Sequence, residues 1–372
     1  STLVLVNGRR MTTYGLADDG VRSFVDLNSL PLEAIDRIEV LKDGASAIYG
    51  ADAVGGVVNV ILRKNYTGAS IGGTVGATGK GDGQNTRVFG TAGFGDIDKD
   101  KFNVFFSLEA SSQKNIWSKD RGYIGASDLT SLGYFDVTNG ANRPYFLLGP
   151  TANSPHAVIR NPVGNVRTNL IPCDASQIDA STGLCRYNSY DEQEVQPKID
   201  RLNFFSRGTL QFSNNLSAYL ELGYFKTKMF ANGTLGANND GGVFNPGDLT
   251  NPLIVHGAMN LPAAHPDNPF GVDRALFYRP YELGGRDQST DNEVLRLVQG
   301  LQGTAYGWDF DIGASYIKSR LKNKNYGFII YDEMQAALND GTFRITRPSL
   351  TSPSLTDPAV LAEANREAGG AI

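Results

Sequence analysis

The sequence lacks any apolar run of the ~18 residues that a membrane-spanning helix needs. It also lacks a signal peptide, because the chain opens at Ser1 directly into the strand-like apolar segment 2–6. We therefore expect the N-terminus to be cut relative to the natural protein. The mean hydropathy of −0.25 suggests a soluble protein. That average does not distinguish a soluble protein from a transmembrane β-barrel, because transmembrane β-strands alternate apolar and polar residues.

Positive charge is scarce, with 34 Lys and Arg against 39 Asp and Glu and a net charge of −5. A nucleic-acid partner, which needs a basic face, is therefore not expected. Enzyme motifs are lacking as well. No G-x-S-x-G occurs, the Gly-Lys within 76–84 lacks phosphate-loop spacing, and His156, His256 and His265 are far apart. The sequence predicts no catalytic residue, cofactor site or metal site.

Cysteine is limited to two residues, Cys173 and Cys185, which share one polar, loop-like stretch. Such a pair favours a disulfide formed in an oxidising compartment. Two free thiols are the alternative interpretation. A metal site is the least favoured, because no histidine lies nearby.

What the sequence has in quantity is glycine, at 43 residues, with 10% aromatics, a composition typical of a large β protein with many turns. Residues 1–64 mix short strands with short helical turns. A turn at Asn7-Gly8 ends the first apolar run, and Pro31 opens a predicted helical turn. Strands are predicted at 38–41 and 57–62, with a short helix at 45–49 between them.

From about Tyr66 the pattern changes to long period-2 alternation, best seen in 101–112, which predicts strands with one apolar and one polar face. Further strands are predicted at 201–212, 216–224 and 308–316, and weaker ones at 69–78, 86–95 and 294–306. Phe105 is the exception, since it falls on the polar face. The expected outward, lipid-facing residues are Phe102, Val104, Phe106, Leu108, Leu220, Leu222, Phe310 and Ile312. The expected inward residues are Lys101, Asn103, Glu109, Arg207, Glu221, Asp309 and Asp311.

The connections between these strands alternate in length. Short turns lie at 96–100, 213–215 and 307, whereas the segments of about 113–200, 231–293 and 323–372 are long and polar. An outer-membrane barrel has short turns on one side and long loops on the other. The alternative is a soluble β-sandwich or propeller with large insertions.

The segment 35–64, IDRIEVLKDGASAIYGADAVGGVVNVILRK, resembles the plug domain of TonB-dependent outer-membrane receptors, and TLVLVNGRR before it resembles the first plug strand and turn. Lys42-Asp43-Gly44 stands where the family usually has Arg-Gly. The motif covers about residues 1–65, and the strand pattern extends the resemblance to about residue 330. The residues that carry the motif are Ile38, Glu39, Val40, Leu41, Lys42, Gly44, Tyr49, Gly50, Gly55, Gly56 and Asn59.

The resemblance implies an α+β plug at 1–64, followed by an all-β part at 65–372. That second part would belong to a transmembrane antiparallel β-barrel of about 22 strands, incomplete in this chain, with long extracellular loops. It implies a place in the outer membrane of a Gram-negative bacterium, in contact with lipid. The plug charges are expected to pair with inward-facing barrel residues. These charges are Asp36, Arg37, Glu39, Lys42, Asp43 and Asp52.

The function implied is energised uptake of a scarce nutrient: a ferric siderophore, haem, cobalamin or an oligosaccharide. The energy would come from the TonB complex, acting on a plug segment missing from this chain. A non-energised pore or adhesin, or a truncated piece inactive on its own, are the alternatives.

Ligand contacts, by analogy, would come from plug apices, with the turns at 7–10 and 14–19 as candidates, and from exposed loop aromatics. Packing of the loops on themselves is the alternative role for these aromatics. The aromatic candidates are Trp117, Tyr123, Tyr134, Tyr145 and Phe146.

Overall fold

The computed structural model describes most of the chain. The described residues are 2–14, 24–42, 44–122, 135–136, 143–144, 156–164, 166–175, 178, 182–185, 187, 189–234, 243–244, 253–254, 259–280 and 284–346. No helix among them is long and apolar enough to cross a membrane.

The described part of the chain is built mainly of β-strands, with a few short helical elements between them. The strands and α-helices are β1 (Leu3–Val6), β2 (Arg9–Arg10), β3 (Ile35–Leu41), α1 (Ser46–Tyr49), β4 (Val57–Leu62), β5 (Gly68–Gly76), β6 (Asn85–Phe94), β7 (Phe102–Gln113), β8 (Ile116–Trp117), β9 (Phe135–Asp136), β10 (Arg143–Pro144), β11 (Val158–Arg160), β12 (Arg167–Asn169), β13 (Glu194–Gln196), β14 (Lys198–Ser213), β15 (Leu216–Ala231), β16 (Val243–Phe244), β17 (Leu253–Ile254), β18 (Asn260–Leu261), β19 (Arg274–Phe277), β20 (Gln288–Ala305), β21 (Trp308–Asn325) and α2 (Tyr331–Asn339). Short 3₁₀ turns occupy Leu27–Ser29, Leu32–Ala34, Ala51–Ala53, Ser118–Asp120 and Ser189–Glu192.

The chain divides into two compact units. The first, which we call the sheet unit, lies within 1–115, 196–230 and 289–324. The second, the loop unit, lies within 116–195, 231–288 and 325–372.

The N-terminal part of the sheet unit is a small four-stranded sheet of order β2-β1-β4-β3, in which β1 runs parallel to β4 and β3 antiparallel to it. Gly56 adopts a φ of +114°, and a Cβ there would lie 2.5 Å from the Leu41 carbonyl oxygen, so the turn into β4 requires glycine. The helical turn expected after Pro31 is confined to Leu32–Ala34. Strand β3 starts at Ile35, because that residue already pairs with Leu62 of β4.

The remainder of the sheet unit is a seven-stranded sheet of order β21-β20-β15-β14-β7-β6-β5. Pairing is antiparallel from β5 through β15. Strands β14 and β15 have 16 residues each, and β20 and β21 have 18 each. The sequence-based bounds were too short, because the apolar alternation fades before the backbone pairing does. The last pair of the β14–β15 ladder, for example, is Lys198 with Phe230.

The long segments are not the structureless loops that their composition suggests. Within the loop unit, four short strands form a sheet of order β12-β11-β19-β18, and α2 packs on the same core. Cys173 and Cys185 are joined by a disulfide, with Cα atoms 6.0 Å apart. The buried core residues are Ala157, Ile159, Ile171, Met259, Leu261, Leu276, Tyr278, Leu338, Phe343 and Ile345.

Candidate functional site

The candidate site is the surface along which residues 2–64 pack on one face of the seven-stranded sheet; we call it the seam. Alternation along the strands decides which side chains reach it. Asn103, Arg207 and Glu221 are buried in the seam, whereas Leu108 and Leu220 on the opposite face are about half exposed. The predicted two-faced character of β7, β14 and β15 is therefore confirmed.

Two residues expected to face inward do not take part in the seam. Lys101 lies in the turn before β7, where its Nζ donates to the Asp98 carbonyl oxygen at 2.9 Å. Asp309 is exposed near the start of β21 and accepts a hydrogen bond from the Thr304 hydroxyl at 2.6 Å. Both positions lie at the turn end of the sheet, beyond the contact with the N-terminal domain.

An apolar patch lies within this polar seam. Phe105, the exception to the alternation of β7, is fully buried, and its ring centroid lies 5.8 Å from that of Phe205 and 6.4 Å from that of Tyr66. Val6 and Leu62 of the N-terminal sheet belong to the same cluster. An apolar residue on the otherwise polar face of a strand was the signal that a covering domain packs there.

A buried carboxylate, Glu221, lies at the centre of the seam. It accepts hydrogen bonds from Arg207, from Arg296 at 2.7 Å and from the Asn7 side chain at 2.8 Å. Burying a charge is costly unless it is paired and hydrogen-bonded, and Glu221 is both. The Asn7 Oδ1 also accepts the Leu62 N–H at 2.9 Å, so this one side chain connects the N-terminal sheet to the long sheet.

A second polar contact joins the turn of residues 7–10 to β21. Arg9 Nη2 donates to Asp311 at 2.8 Å, and the Tyr219 hydroxyl donates to the same carboxylate oxygen at 2.8 Å. Burial opposes the charged form of Arg9, but the hydrogen bond to Asp311 and the nearby charges of Asp311 and Glu221, with the Tyr219 hydroxyl, together outweigh it, so the pKa of Arg9 is raised. Gly313 leaves room for this contact, since a Cβ there would lie 2.7 Å from Arg9 Nη2.

A third contact involves the residues just after Pro31. Arg87 Nη2 of β6 donates to Glu33 at 2.6 Å and to Glu109 of β7 at 2.7 Å. Farther along the seam, Asn203 Nδ2 donates to the Asn28 carbonyl oxygen at 3.0 Å. The seam is thus held by hydrogen bonds and ion pairs at several separate points.

The plug-motif charges were expected to pair with inward-facing barrel residues. The ion pairs described for them lie within the N-terminal domain, and pairing with barrel residues stays a prediction. Arg37 pairs with Asp36 at 2.9 Å and with Glu39 at 2.8 Å, because these side chains are neighbours on one strand. Asp52 pairs with Arg10 within the same domain. Lys42 is exposed, and Asp43 lies outside the described residues. On the N-terminal side the seam is built by Asn7, Arg9 and Glu33, which the sequence did not single out for pairing.

The remaining motif residues shape the domain. Asn59 accepts the Gly8 N–H at 3.0 Å and donates to Glu39 at 3.3 Å, which fixes the first turn. Gly50, with φ at +85°, ends α1, and Gly44 and Gly55 lie in neighbouring turns. The apolar motif side chains that stay largely exposed are Ile38, Val40, Leu41 and Tyr49.

The aromatic residues proposed as ligand contacts are only partly described. Trp117 is half-buried, with Lys119 Nζ 5.4 Å from the centre of its ring, which agrees with the alternative that the loop packs on itself. The other four candidates, Tyr123, Tyr134, Tyr145 and Phe146, lie outside the described residues.

The two turns of the N-terminal domain that were candidates for ligand contact are also only partly described. Tyr14 stacks on Phe24 at 4.9 Å, and residues 15–19 are outside the described part. The turn at 7–10 contributes Asn7 and Arg9 to the seam. Across the part of the chain that the structure describes, no group of three or more His, Cys, Asp or Glu could hold a metal ion.

Comparison with known proteins agrees with the resemblance that the sequence of the N-terminal domain shows. Residues 1–57 match the TonB-dependent receptor plug domain. The iron-regulated outer membrane virulence protein of Vibrio cholerae serotype O1 is 43% identical over 65 residues, which is 17% of this chain and 10% of that protein. Residues 1–57 are thus similar to the plug domain of TonB-dependent receptors, and the chain spans about a tenth of the length of this relative.

Solved receptor structures give remoter matches. The ferric enterobactin receptor of Pseudomonas aeruginosa has a TM-score of 0.39 at 11% identity, over 84% of this chain and 37% of that one. The siderophore receptor PiuA of Acinetobacter baumannii has a TM-score of 0.34 at 14% identity, over 87% of this chain and 38% of that one.

Proposed function

We propose that this chain takes part in the energised uptake of a scarce nutrient across the outer membrane. Residues 1–64 form the plug, and 65–372 form barrel strands and extracellular loops. The TonB complex supplies the pull, through a plug segment outside this chain. The observation that supports the proposal is the seam, in which a small folded domain packs against the polar face of a long sheet.

The chemistry of the seam suits a plug that must block the barrel and also separate from the sheet when it is pulled. Its polar contacts form two groups, one at Arg87 and one in which Tyr219 connects Asp311 to the Arg207–Glu221 pair, so water can replace them in stages. Each of these hydrogen bonds involves a charged group and contributes about 1.5–3 kcal/mol net. A pull on one end of the plug can then open the seam in steps.

The opposite face of the sheet supports a lipid environment. Outward residues such as Phe106, Leu222 and Ile312 are apolar and exposed, as a surface in contact with acyl chains requires. Transport then needs a plug, because a wide barrel without one leaks.

For the nutrient, we propose a ferric siderophore as the first candidate. The relative with 43% identity is named for its regulation by iron, and the match falls within the plug. Haem, cobalamin and oligosaccharides are the other candidates. The experiment is uptake of radioactive iron by cells that carry the intact receptor, with and without an active TonB complex. Iron uptake that is independent of TonB would contradict the proposal.

The plug assignment has its own test in a planar bilayer. Deleting residues 1–64 from the receptor should open a large, steady conductance, since the seam would no longer block the lumen. A deleted receptor that inserts normally yet conducts no more than the intact one contradicts the assignment.

A further inference from the structure

Three neighbouring strands of the sheet unit, β15, β20 and β21, have an outward face opposite the seam. Contacts in the seam identify their inward side. Glu221 of β15 accepts hydrogen bonds from Asn7 and from Arg296 of β20, and Asp311 of β21 accepts one from Arg9. Because side chains alternate along a strand, the even-numbered residues of β15 and β21 and the odd-numbered residues of β20 face outward.

The outward residues of β15 and β21 follow the same order from the short turns to the long connections. Apolar residues such as Leu222 and Ile312 come first, and a tyrosine follows on each strand, Tyr224 and Tyr316. An apolar stretch that ends in aromatic residues is what a transmembrane strand presents to lipid. The next outward residues are cations, which we call the cation band: Lys226, Lys228, Lys318, Arg320, Lys322 and Lys324.

The residues between the cations of β21 confirm that these cations point outward. Ile317, Ser319 and Leu321 are partly buried, whereas the basic residues that alternate with them are exposed. Asn323 accepts a hydrogen bond at 3.2 Å from the hydroxyl of Thr290, which is buried on the inward side of β20. The cation band therefore lies on the same face as the apolar residues that precede it.

The cation band holds more positive charge than its neighbours neutralise. The outward carboxylates between β15 and β21 are Asp291 and Glu293 of β20. Glu293 pairs with Lys226, and Lys228 and Arg320 lie near the same carboxylate. Within the residues that the structure describes, the four cations of β21 form no ion pair. Alternate residues of a strand are only ~6.6–6.8 Å apart, so these cations repel one another unless an anion lies against them.

The position of the cation band indicates which anion that is. If Leu222 and Ile312 lie among acyl chains, the cations just beyond Tyr224 and Tyr316 lie at the level of the lipid headgroups. Phosphate is the anion of that layer, and it accepts charge-assisted hydrogen bonds from ammonium and guanidinium groups. An acidic protein would have to displace the headgroups to reach the same side chains. The long connections adjoin this end of the strands, which places the band in the outer leaflet.

We propose that the cation band binds the phosphate groups of lipids in the outer leaflet of the membrane. The six side chains hold phosphate-bearing lipid against β15, β20 and β21. The inference rests on the proposed barrel assignment of residues 65–372 and not on the uptake of any nutrient.

The test measures lipid binding to the intact receptor by native mass spectrometry. Phosphatidic acid is compared with a diacylglycerol of the same acyl chains, which lacks only the phosphate. We expect phosphatidic acid to bind more tightly. The variant Lys318→Gln/Arg320→Gln/Lys322→Gln should weaken phosphatidic acid binding by about tenfold and leave diacylglycerol binding unchanged.

One control removes the same charge elsewhere. Lys64→Gln/Lys99→Gln/Lys101→Gln changes three exposed cations at the short-turn end of the sheet and should leave the binding of phosphatidic acid unchanged.

Two further variants act on the band itself. Lys318→Arg/Lys322→Arg keeps the charge and should keep the binding. Glu293→Gln should tighten the binding of phosphatidic acid, because it removes a carboxylate that competes with phosphate and frees Lys226. A purely structural role of these residues does not predict that increase.

A spin label separates failure of this inference from failure of the barrel assignment. The two native cysteines are bonded to each other, so a nitroxide on an Ile312→Cys variant labels one site. In nanodiscs, its collisions with oxygen should exceed those with a water-soluble nickel complex, as expected for a label among acyl chains. A label in water would contradict the barrel assignment and this inference with it. A label in lipid, without a preference for phosphatidic acid, would overturn this inference alone.

Three other outcomes would also overturn the proposal. The first is equal weakening by the band variant and by the control at the short-turn end. The second is displacement of phosphatidic acid by an equal concentration of inorganic phosphate, which would assign the band to a free anion. The third is a receptor extracted from the membrane with an acidic protein on the cation band and no lipid phosphorus. Phosphate-dependent binding that is lost only in the band variant supports the proposal.

Discussion

The sheet unit and the loop unit bury their residues in opposite ways. In the sheet unit, the contact between plug and sheet contains buried charges, with Glu221 between Arg207 and Arg296. In the loop unit, the core is a continuous apolar cluster around Leu276 and Tyr278. The first arrangement suits surfaces that separate under load, and the second suits a structure that stays folded. Substitutions in each unit test this difference.

Glu221→Ala should have the largest effect, because it leaves Arg207 and Arg296 buried without their shared carboxylate. We expect the plug to lose about 3–5 kcal/mol of stability. Hydrogen exchange of the β1 and β4 amides measures that loss. The matched control is Glu293→Ala, which removes a carboxylate paired with Lys226 at a partly exposed site and should cost much less stability than Glu221→Ala. Similar losses for the two variants would show that the seam does not depend on its buried charge.

Leu276→Ala should destabilise the loop unit by about 2–5 kcal/mol, because it leaves a cavity in an apolar core. Exchange should rise in β11 and β19, while the plug amides keep their protection. Leu222→Ala, on the exposed outer face of β15, is the control and should change neither set. If Leu276→Ala also lowered the exchange protection of the plug amides, the cores of the two units would not be independent.

The disulfide should matter only to the loop unit. Its cysteines are 12 residues apart, and closing a loop of that size contributes about 3 kcal/mol in the chain-entropy model. Cys173→Ser/Cys185→Ser should therefore raise exchange near β12 alone. Thiol labelling of the receptor without reductant should find neither sulfur, and full labelling would show that the pair is open.

Asn7→Ala should weaken the plug by about 1–3 kcal/mol, because it removes bonds to Glu221 and to the Leu62 N–H. Asn7 also has a φ of +51°, which alanine disfavours. Asn7→Gly relieves the backbone but not the lost bonds, so its cost should fall between zero and that of alanine. A glycine variant as stable as the native protein would show that the Asn7 side chain does not stabilise the seam.

The smallest effect concerns pH. Burial lowers the pKa of His156, whose Nδ1 lies 3.2 Å from the Pro172 carbonyl oxygen. A lowered pKa in the folded state means that the unfolded chain binds the proton more readily. The contribution of His156 to stability is therefore complete above pH ~6.5 and declines as the pH falls toward the folded-state pKa. Exchange in β11, followed from pH 7 to 5, should show this slope, and His156→Asn should remove it.

The plug and the main strands of the sheet could be predicted because their signals are local. A motif of 30 residues marked the plug, and period-2 alternation marked β7 and β14. The ends of the strands were missed where polar residues such as Lys226 and Lys228 interrupt the apolar alternation while the backbone pairing continues. The seam partners were missed for a different reason. Arg9 meets Asp311 across 302 positions of sequence, and no local pattern connects them.

The loop unit could not be predicted, because its strands have only two to four residues and carry no periodicity. Its core joins residues from three segments, such as Ile159, Leu276 and Leu338. Composition indicated only polar connections. The one local signal was the cysteine pair, which identified part of this unit correctly.

The disulfide can form before the rest of the loop unit has been made. The core of that unit needs three segments that are separated by pairs of barrel strands, so it cannot be completed until α2 and the residues after it have been synthesised. The bridge between Cys173 and Cys185 needs none of those later segments. Oxidation in the periplasm can therefore close the first segment early, before the strands that follow have entered the membrane. The bond then constrains the segment around Cys173 and Cys185 before the other two segments join the core.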